Sequence, residues 1–208
     1  MPRCRAVAWV KDDPFGVEFT EIEIGAARLT ARGVAIGSAL LPYKLDYELE
    51  TTEDFVTSHL QATSRGQGWR RKLDLCRDER GAWSIAADEE GEVDLPPPGG
   101  DVASLGAALD CDLGLSPLTN TMPILREGLL EGGGPIELTM AWVAVPALSV
   151  QADRQRYRHV SSASDHSVVR YEAVDGGFAA DIVLDTDGVA IDYPGIGRRL
   201  PQPALPSC

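Results

Sequence analysis

The sequence has little positive charge. Its 19 lysines and arginines are outnumbered by 32 aspartates and glutamates, which gives 208 residues a net charge of −13. This balance repels nucleic acid phosphates and anionic lipid surfaces at long range. One short basic stretch, RGQGWRRK at 65–72, does not change that balance. We therefore expect no nucleic-acid partner, since dedicated nucleic-acid binders are usually basic overall.

Cysteine and histidine are also scarce and scattered. The cysteines are Cys4, Cys76, Cys111 and Cys208, and no CxxC or Cys/His spacing typical of zinc occurs. The motif Asp-Cys-Asp at 110–112 could hold a hard cation between two carboxylates, but it lacks a third ligand at fixed spacing. Glycine-rich nucleotide loops and the G-x-S-x-G elbow are missing too. We expect no metal and no cofactor.

Long hydrophobic runs are missing as well. No apolar segment approaches the roughly 20 residues that span a bilayer, so we expect no stable membrane insertion. The N-terminus, MPRCRAVAWVKDD, has no apolar core of the secretory type. Together with the expectation of reduced thiols, this predicts a cytoplasmic protein.

What recurs along the chain is alternation of apolar and polar residues, the pattern of half-buried strands. The segment YKLDYELE at 43–50 is the clearest case, and GVEFTEIEI at 16–24 is a second, with Val17 and Phe19 opposite Glu18 and Thr20. A hairpin is predicted over 69–85, a strand over 136–145 and three strands over 168–194. Helix patterns are weak, and only DVASLGAALD at 101–110 could form a short one.

These patterns predict an all-β protein, a curved antiparallel meander that forms a barrel or half-barrels, with little helix. Residues 1–200 are expected to form a single barrel-like domain and 201–208 a flexible tail. Two segments repeat the order strand, acidic turn, strand, which suggests an internal duplication with halves at about 1–95 and 102–200. Hairpin turn chemistry alone gives the same repetition, so both explanations stay open.

The richest group of polar side chains lies in DCDLGLSPLTNTMPILR, residues 110–126. Pro117 and Pro123 cannot join a strand ladder, so this segment should be irregular and rigid. Rigid irregular segments on a β scaffold are common sites of function. Amide and guanidinium groups there could hold a sugar or another polyol. The same residue types also stabilise turns, so a structural interpretation stays open.

This segment resembles the signature of the putative glycolipid-binding family of bacterial proteins. The matching residues are Asp110, Asp112, Leu113, Ser116, Pro117, Thr119, Asn120, Thr121, Pro123, Ile124 and Arg126. Three other blocks are similar: Gly16 and Glu18; Pro146, Gln155 and Tyr157; and Asp192, Tyr193, Pro194 and Arg198. The sequence departs from the family pattern at Leu125, Phe55 and Ser58, which replace an arginine, a tryptophan and an arginine.

The resemblance implies a fold like the lipoprotein-carrier half-barrels and ligand binding rather than catalysis. A bent sheet with large apolar residues inside could hold acyl chains, while polar residues at its mouth hold a head group. The expected inward residues are Tyr43, Leu45, Tyr47, Leu73, Leu75, Trp142, Phe178 and Ile182. The candidate ligand-binding residues are Glu18, Trp69, Asp110, Asp112, Thr119, Asn120, Arg126, Tyr157, Asp192 and Tyr193.

The first hypothesis is therefore a non-catalytic protein whose partner is a small amphipathic molecule such as a glycolipid. A second is a hydrolase or transferase that acts on a glycoside with two of its carboxylates as acid and base, drawn from Glu18, Asp110, Asp112 and Asp192. A third is a structural module whose inward residues simply fill the core. Nothing in the sequence favours one oligomeric state.

Overall fold

Almost all of the regular structure is β-strand. The structure, a computed structural model, describes residues 2–201, so the predicted tail beyond Pro201 lies outside the described residues. The strands of the N-terminal half are β1 (Arg3–Asp12), β2 (Phe15–Ile24), β3 (Leu29–Gly37), β4 (Tyr43–Thr51), β5 (Thr57–Gly66), β6 (Trp69–Arg77) and β7 (Trp83–Gly91). Those of the C-terminal half are β8 (Ala108–Leu113), β9 (Ile136–Val143), β10 (Val150–Ser162), β11 (His166–Ala173), β12 (Ala179–Asp185), β13 (Ala190–Tyr193) and β14 (Gly197–Arg199). The helices are α1 (Thr121–Arg126) and two 3-10 turns, Glu53–Phe55 and Val102–Leu105.

The 14 strands form one sheet in the order β7-β6-β5-β4-β3-β2-β1-β14-β13-β12-β11-β10-β9-β8. Neighbouring strands are antiparallel except for β8 and β9, which are parallel. The all-β prediction with little helix is confirmed. The sheet curls but does not close, because β7 and β8 remain its two edges. The closed-barrel form of the prediction is therefore wrong, and the half-barrel form describes the sheet.

The two halves meet where β1 pairs with β14, with Trp9 opposite Arg199. The indole nitrogen of Trp9 also donates to the carbonyl of Ala190, 2.8 Å away. Each half adds its strands to the sheet in chain order, as a tandem duplication would. The parallel pair β8–β9 has no equivalent in the first half. The duplication, the halves near 1–95 and 102–200 and the single-domain boundary stay predictions.

The first two elements of regular structure after residue 107, β8 and α1, fill the concave side of the N-terminal half. Leu60 and Leu75 of the sheet are fully buried, as are Leu113 of β8 and Met122 of α1, and all four belong to one hydrophobic cluster. The Thr57 hydroxyl accepts the Cys111 backbone N–H at 3.0 Å and so fixes β8 on β5. A second cluster lies inside β10–β13. The concave side of the first half-barrel is therefore filled by side chains.

Alternation correctly predicted β4, the β6–β7 hairpin, β9 and the strands β11 to β13, but it gave no sign of β10 or β14. It also did not show that polar residues occupy the buried positions in the first part of β2. Val17 and Phe19 are 36% and 48% exposed, whereas Glu18 is 1% exposed and Thr20 is fully buried. Farther along the same strand the inward face becomes apolar, with Ile22. A polar group is thus turned into the interior at one end of β2.

Glycines opposite large aromatic residues give the first half its internal shape. Tyr47 lies opposite Gly33, and its ring occupies the space where a Cβ of residue 33 would be. Trp69 covers Gly66 in the same way. Aromatic rings that fold over glycines in a neighbouring strand stabilise curved sheets. The Tyr47 ring is thereby directed along the concave face toward Glu18, which accepts its hydroxyl at 2.6 Å.

No helix within residues 2–201 has the length and apolar character needed to cross a membrane.

Candidate functional site

A pocket of about 420 Å³ opens where the segment after β8 meets the inner face of the second half. Its floor is the chain from Asp112 to Ser116 together with Asn120. Gln151 and Asp153 of β10 form one wall. Tyr171 of β11, Phe178 and Tyr193 of β13 form the other, together with Trp142 near the end of β9. The first half contributes Ala39, from the loop between β3 and β4. The volume falls in the range of small-molecule pockets, about 300–1,000 Å³.

Two carboxylates, Asp112 and Asp153, line the polar side of the pocket, and the Gln155 amide bonds to both. The buried Asp112 accepts the Thr119 hydroxyl at 2.8 Å and the Gln155 side-chain amide at 2.7 Å. The same amide nitrogen donates its second hydrogen to Asp153 at 3.0 Å. Asp153, Gln155 and Tyr157 alternate along β10, so all three face the interior. Gln155 therefore holds both carboxylates in fixed positions at the pocket.

Tyr157 extends this network to α1. Its hydroxyl lies 2.7 Å from the Gln155 side-chain oxygen and 2.9 Å from the Asn120 side-chain oxygen. A phenol has one hydrogen, so Tyr157 can donate to only one of these two oxygens at a time. Asn120 precedes α1 but makes no side-chain capping bond. Turn chemistry therefore does not use this side chain, and it faces the pocket.

The opposite wall is aromatic. The Tyr171 and Tyr193 rings meet edge to face with centroids 5.9 Å apart, and Phe178 lies 6.0 Å from Tyr171. Trp142 completes the lining at the end of β9. Trp142 and Phe178 were expected to point inward, and both are partly exposed because they border the opening. The pocket thus has an aromatic side and a carboxylate side.

Burial governs the ionisation of these groups. It raises the pKa of Asp112, and the hydrogen bonds from Gln155 and Thr119 offset part of the rise. Burial also raises the pKa values of Tyr157, Tyr171 and Tyr193, and the neighbouring Asp112 charge adds to each. The phenols are therefore neutral donors and acceptors at pH 7.

Asp110 and Arg126 lie outside this pocket. The Arg126 guanidinium is 2.9 and 2.7 Å from the two oxygens of Asp110, which is fully buried. Burial raises the pKa of Asp110, and Arg126 offsets part of that rise. The Asp-Cys-Asp motif is therefore divided: Asp110 binds Arg126, and Asp112 binds Thr119 and Gln155. Thr119 also accepts the Leu113 backbone N–H at 3.2 Å and does not itself line the pocket.

Glu18 does not line the pocket but contacts a residue that does. Its carboxylate accepts the Ser116 hydroxyl at 2.7 Å, and Ser116 lines the pocket. Lys11 donates to the carbonyl of Leu115, whose φ of 65° is left-handed. Burial raises the pKa of Glu18, and bonds from Tyr47 and Ser116 offset part of the rise. First-half side chains thus position the loop that forms the pocket floor.

The other predicted ligand-binding residues lie in different parts of the molecule. Tyr193 lines the pocket and Tyr157 supports its wall. Trp69 packs over Gly66 in the first half and does not line the pocket. Asp192 lines a different, smaller hollow beside Lys11 and Arg198.

Sequence reasoning missed Asp153, Tyr171 and Ser116 as site residues. The pattern that could have found Asp153 is the run Asp-x-Gln-x-Tyr at 153–157. Polar side chains at every second position, in register with a large tyrosine, indicate a polar inner face. Tyr171 and Ser116 look like ordinary strand and turn residues, and only the tertiary structure brings them to the pocket.

Comparison with known proteins identifies a solved structure and a protein family similar to this chain. The chain is 30% identical to a DUF1089 family protein from Pseudomonas aeruginosa, whose crystal structure it matches with a TM-score of 0.67. The match covers 88% of this chain and 92% of that one. No curated protein shows significant similarity. The model of the family described as "Putative glycolipid-binding" matches residues 6–199, and the chain belongs to that family.

Proposed function

We propose that the protein binds a neutral glycolipid or a similar sugar-bearing amphiphile in the pocket beside Asp112, without catalysis. The observation that carries the proposal is the division of one 420 Å³ pocket into a carboxylate side and an aromatic side. Small-molecule sites typically combine such apolar walls with a few fixed polar groups. The family description supports the same class of ligand.

The polar groups favour hydroxyl donors. Asp112, Asp153 and Asn120 present carboxylate and amide oxygens, which accept hydrogen bonds. Among the described residues that line the pocket, none is a lysine or an arginine. Arg126, the expected anion holder, is committed to Asp110. The pocket therefore suits the hydroxyls of a neutral sugar, and it disfavours a phosphate or sulfate head group.

The aromatic side gives the amphiphile its second contact. Flat faces of Trp142 and Tyr171 can pack on the apolar face of a sugar ring, while Val145 and Ile196 can contact the first carbons of an alkyl chain. Because the first half-barrel is filled by β8 and α1, the pocket holds a head group and the adjoining part of a chain. Three free cysteines within residues 2–201, Cys4, Cys76 and Cys111, support the proposed cytoplasmic location.

The test is calorimetric titration with two detergents that share one alkyl chain. We expect n-octyl β-D-glucopyranoside to bind the wild-type protein below its micellar concentration and n-octyl phosphate not to bind. Asp153→Ala should weaken glucoside binding about tenfold, since each lost charged hydrogen bond costs about 1.5 kcal/mol. Asp181→Ala, an exposed carboxylate on the outer face of β12, is the matched control and should bind normally. Equal binding of both detergents would overturn the proposal.

One observation favours the glycoside-processing alternative. Gln155 holds Asp112 and Asp153 through a single nitrogen, so the two carboxylates are close neighbours. Burial raises the pKa of Asp112, as a general acid requires. Release of 4-nitrophenol from a 4-nitrophenyl glucoside, abolished by Asp112→Asn, would support this second function. No turnover above an Asp112→Asn background would exclude it for that substrate.

A further inference from the structure

The outer face of the first half carries a cluster of three side chains, His59, Asp74 and Cys76, of types that serve as transition-metal ligands in proteins. His59 of β5 lies directly opposite Cys76 of β6, and Asp74 lies two residues before Cys76 on the same face. The flanking residues Leu60 and Leu75 point inward and are fully buried. The cluster therefore faces outward, on the other side of the sheet from the core.

The three potential ligand atoms are close together. The His59 ring nitrogen and the Cys76 sulfur each lie 3.1 Å from one oxygen of Asp74, and all three atoms are within 4.8 Å of one another. A zinc ion binds sulfur at about 2.3 Å and nitrogen at about 2.0 Å, so small side-chain rotations let all three reach one ion. Within residues 2–201 no other group of histidine, cysteine and acidic side chains meets this criterion.

The surroundings support such a site. Gln61 donates to the other oxygen of Asp74 at 3.3 Å, the kind of second contact that orients a metal-binding carboxylate. Glu50 of β4 lies opposite His59 on the exposed face, and Glu48 lies opposite Gln61. This local acidity, together with the net charge of −13, attracts cations. The backbone ladder of β4, β5 and β6 keeps the residues in register.

We propose that His59, Asp74 and Cys76 form a binding site for a thiophilic divalent cation, zinc by ligand preference, with water in the remaining position. Imidazole with thiolate selects zinc or cobalt over magnesium or calcium. The three ligands come from two neighbouring strands, so the spacing along the sequence gives no recognisable motif. The inference departs from our sequence-based expectation of no metal, and it is independent of the proposed sugar pocket.

The experiment uses Co²⁺ as a spectroscopic probe on the full chain, kept reduced with a phosphine. We expect one equivalent of Co²⁺ to give a thiolate-to-cobalt charge-transfer band in the near ultraviolet, and Zn²⁺ to displace it. Cys76→Ser should abolish the band, and His59→Ala should weaken Co²⁺ affinity about tenfold or more. Cys4→Ser is the matched control, because Cys4 is exposed and lies outside the cluster. This variant should leave the band unchanged.

Circular dichroism of each variant checks that the sheet is intact. We expect no change, because the substituted side chains face outward. Gln61→Leu adds a test of the orienting contact and should weaken Co²⁺ binding without abolishing the band. Absence of a band in the wild-type protein overturns the proposal. So does a band that survives Cys76→Ser or disappears with Cys4→Ser.

Discussion

Gln155 and Asp112 come from strands that are not neighbours in the sheet, and the Gln155 amide donates to the Asp112 carboxylate at 2.7 Å. Asp112 is the second-last residue of β8 and Gln155 lies in β10, with β9 between these strands. The bond therefore crosses the concave side of the sheet, over β9. It joins the segment that fills the first half to the wall of the second half, and the proposed binding site forms at that junction.

The ionisation of Asp112 should appear in the pH dependence of stability. Burial raises the folded-state pKa of Asp112, so the native protein holds this proton more tightly than the unfolded chain does. The contribution of Asp112 is favourable below the unfolded pKa of about 3.9 and is lost as the pH rises through the folded pKa. Each tenfold difference between the ionisation constants of the folded and unfolded states corresponds to about 1.4 kcal/mol of unfolding free energy.

We expect Asp112→Asn to remove this contribution, so that the variant gains stability relative to the wild type as the pH rises from 4 to 8. Urea unfolding at several pH values measures the difference. Glu18 has a raised pKa in both proteins and cancels in the comparison. A difference in unfolding free energy that is constant across this range would show that Asp112 ionises normally.

Arg126 should be a structural residue. Removing it in Arg126→Met leaves the fully buried Asp110 carboxylate without its partner, and broken buried ion pairs cost about 3–5 kcal/mol. The double variant Asp110→Asn with Arg126→Met removes both charges and should recover a large part of that loss. Denaturant unfolding of the wild type, both single variants and the double variant gives the coupling energy.

The same variants separate structure from ligand contact. Folded Arg126→Met protein should bind n-octyl glucoside with wild-type affinity, because Arg126 does not line the pocket. If the folded variant fails to bind, Arg126 contacts the ligand, as the sequence predicted.

A side chain at position 33 should destabilise the protein. A methyl group there would overlap the Tyr47 ring, which bonds to Glu18 through its hydroxyl. Overpacking of this kind costs about 1–3 kcal/mol, so Gly33→Ala should lower the unfolding free energy by that amount. Gly132→Ala is the control, since nothing lies within 4 Å of an added Cβ at that position. Equal stability of the two variants would mean that the Tyr47 ring moves aside without cost.

The strands were largely predictable because their inward faces repeat one kind of residue. In β4 every second side chain, from Tyr43 to Leu49, is buried, and local alternation alone reveals this. In β2 the rule fails at Glu18, a buried carboxylate that accepts a hydrogen bond from Ser116, 98 residues away. A buried carboxylate with distant partners has no local pattern, so the sequence predicted the strand but not its inner face.

The segment 110–126 was also predicted only in part. Its importance was predictable from its prolines and polar side chains, but the roles of those side chains were not. Alternation put Asp110 and Asp112 on one face, yet each has a different partner from a different element. The six-residue helix α1 was missed because Pro123 and Thr121 disfavour a helix. Packing on both sides stabilises it, because the fully buried Met122 joins the hydrophobic cluster of the first half and the fully buried Ile124 joins that of the second.

The most direct test of the binding site uses the four tryptophans, labelled as 5-fluorotryptophan and observed by fluorine NMR. Trp142 lines the pocket, whereas Trp9, Trp69 and Trp83 are buried elsewhere. Tryptophan-to-phenylalanine variants assign each resonance. During titration with n-octyl glucoside we predict a saturable shift of the Trp142 resonance alone. A shift of the Trp69 resonance with Trp142 unchanged, or no shift at any tryptophan, would contradict the proposed site.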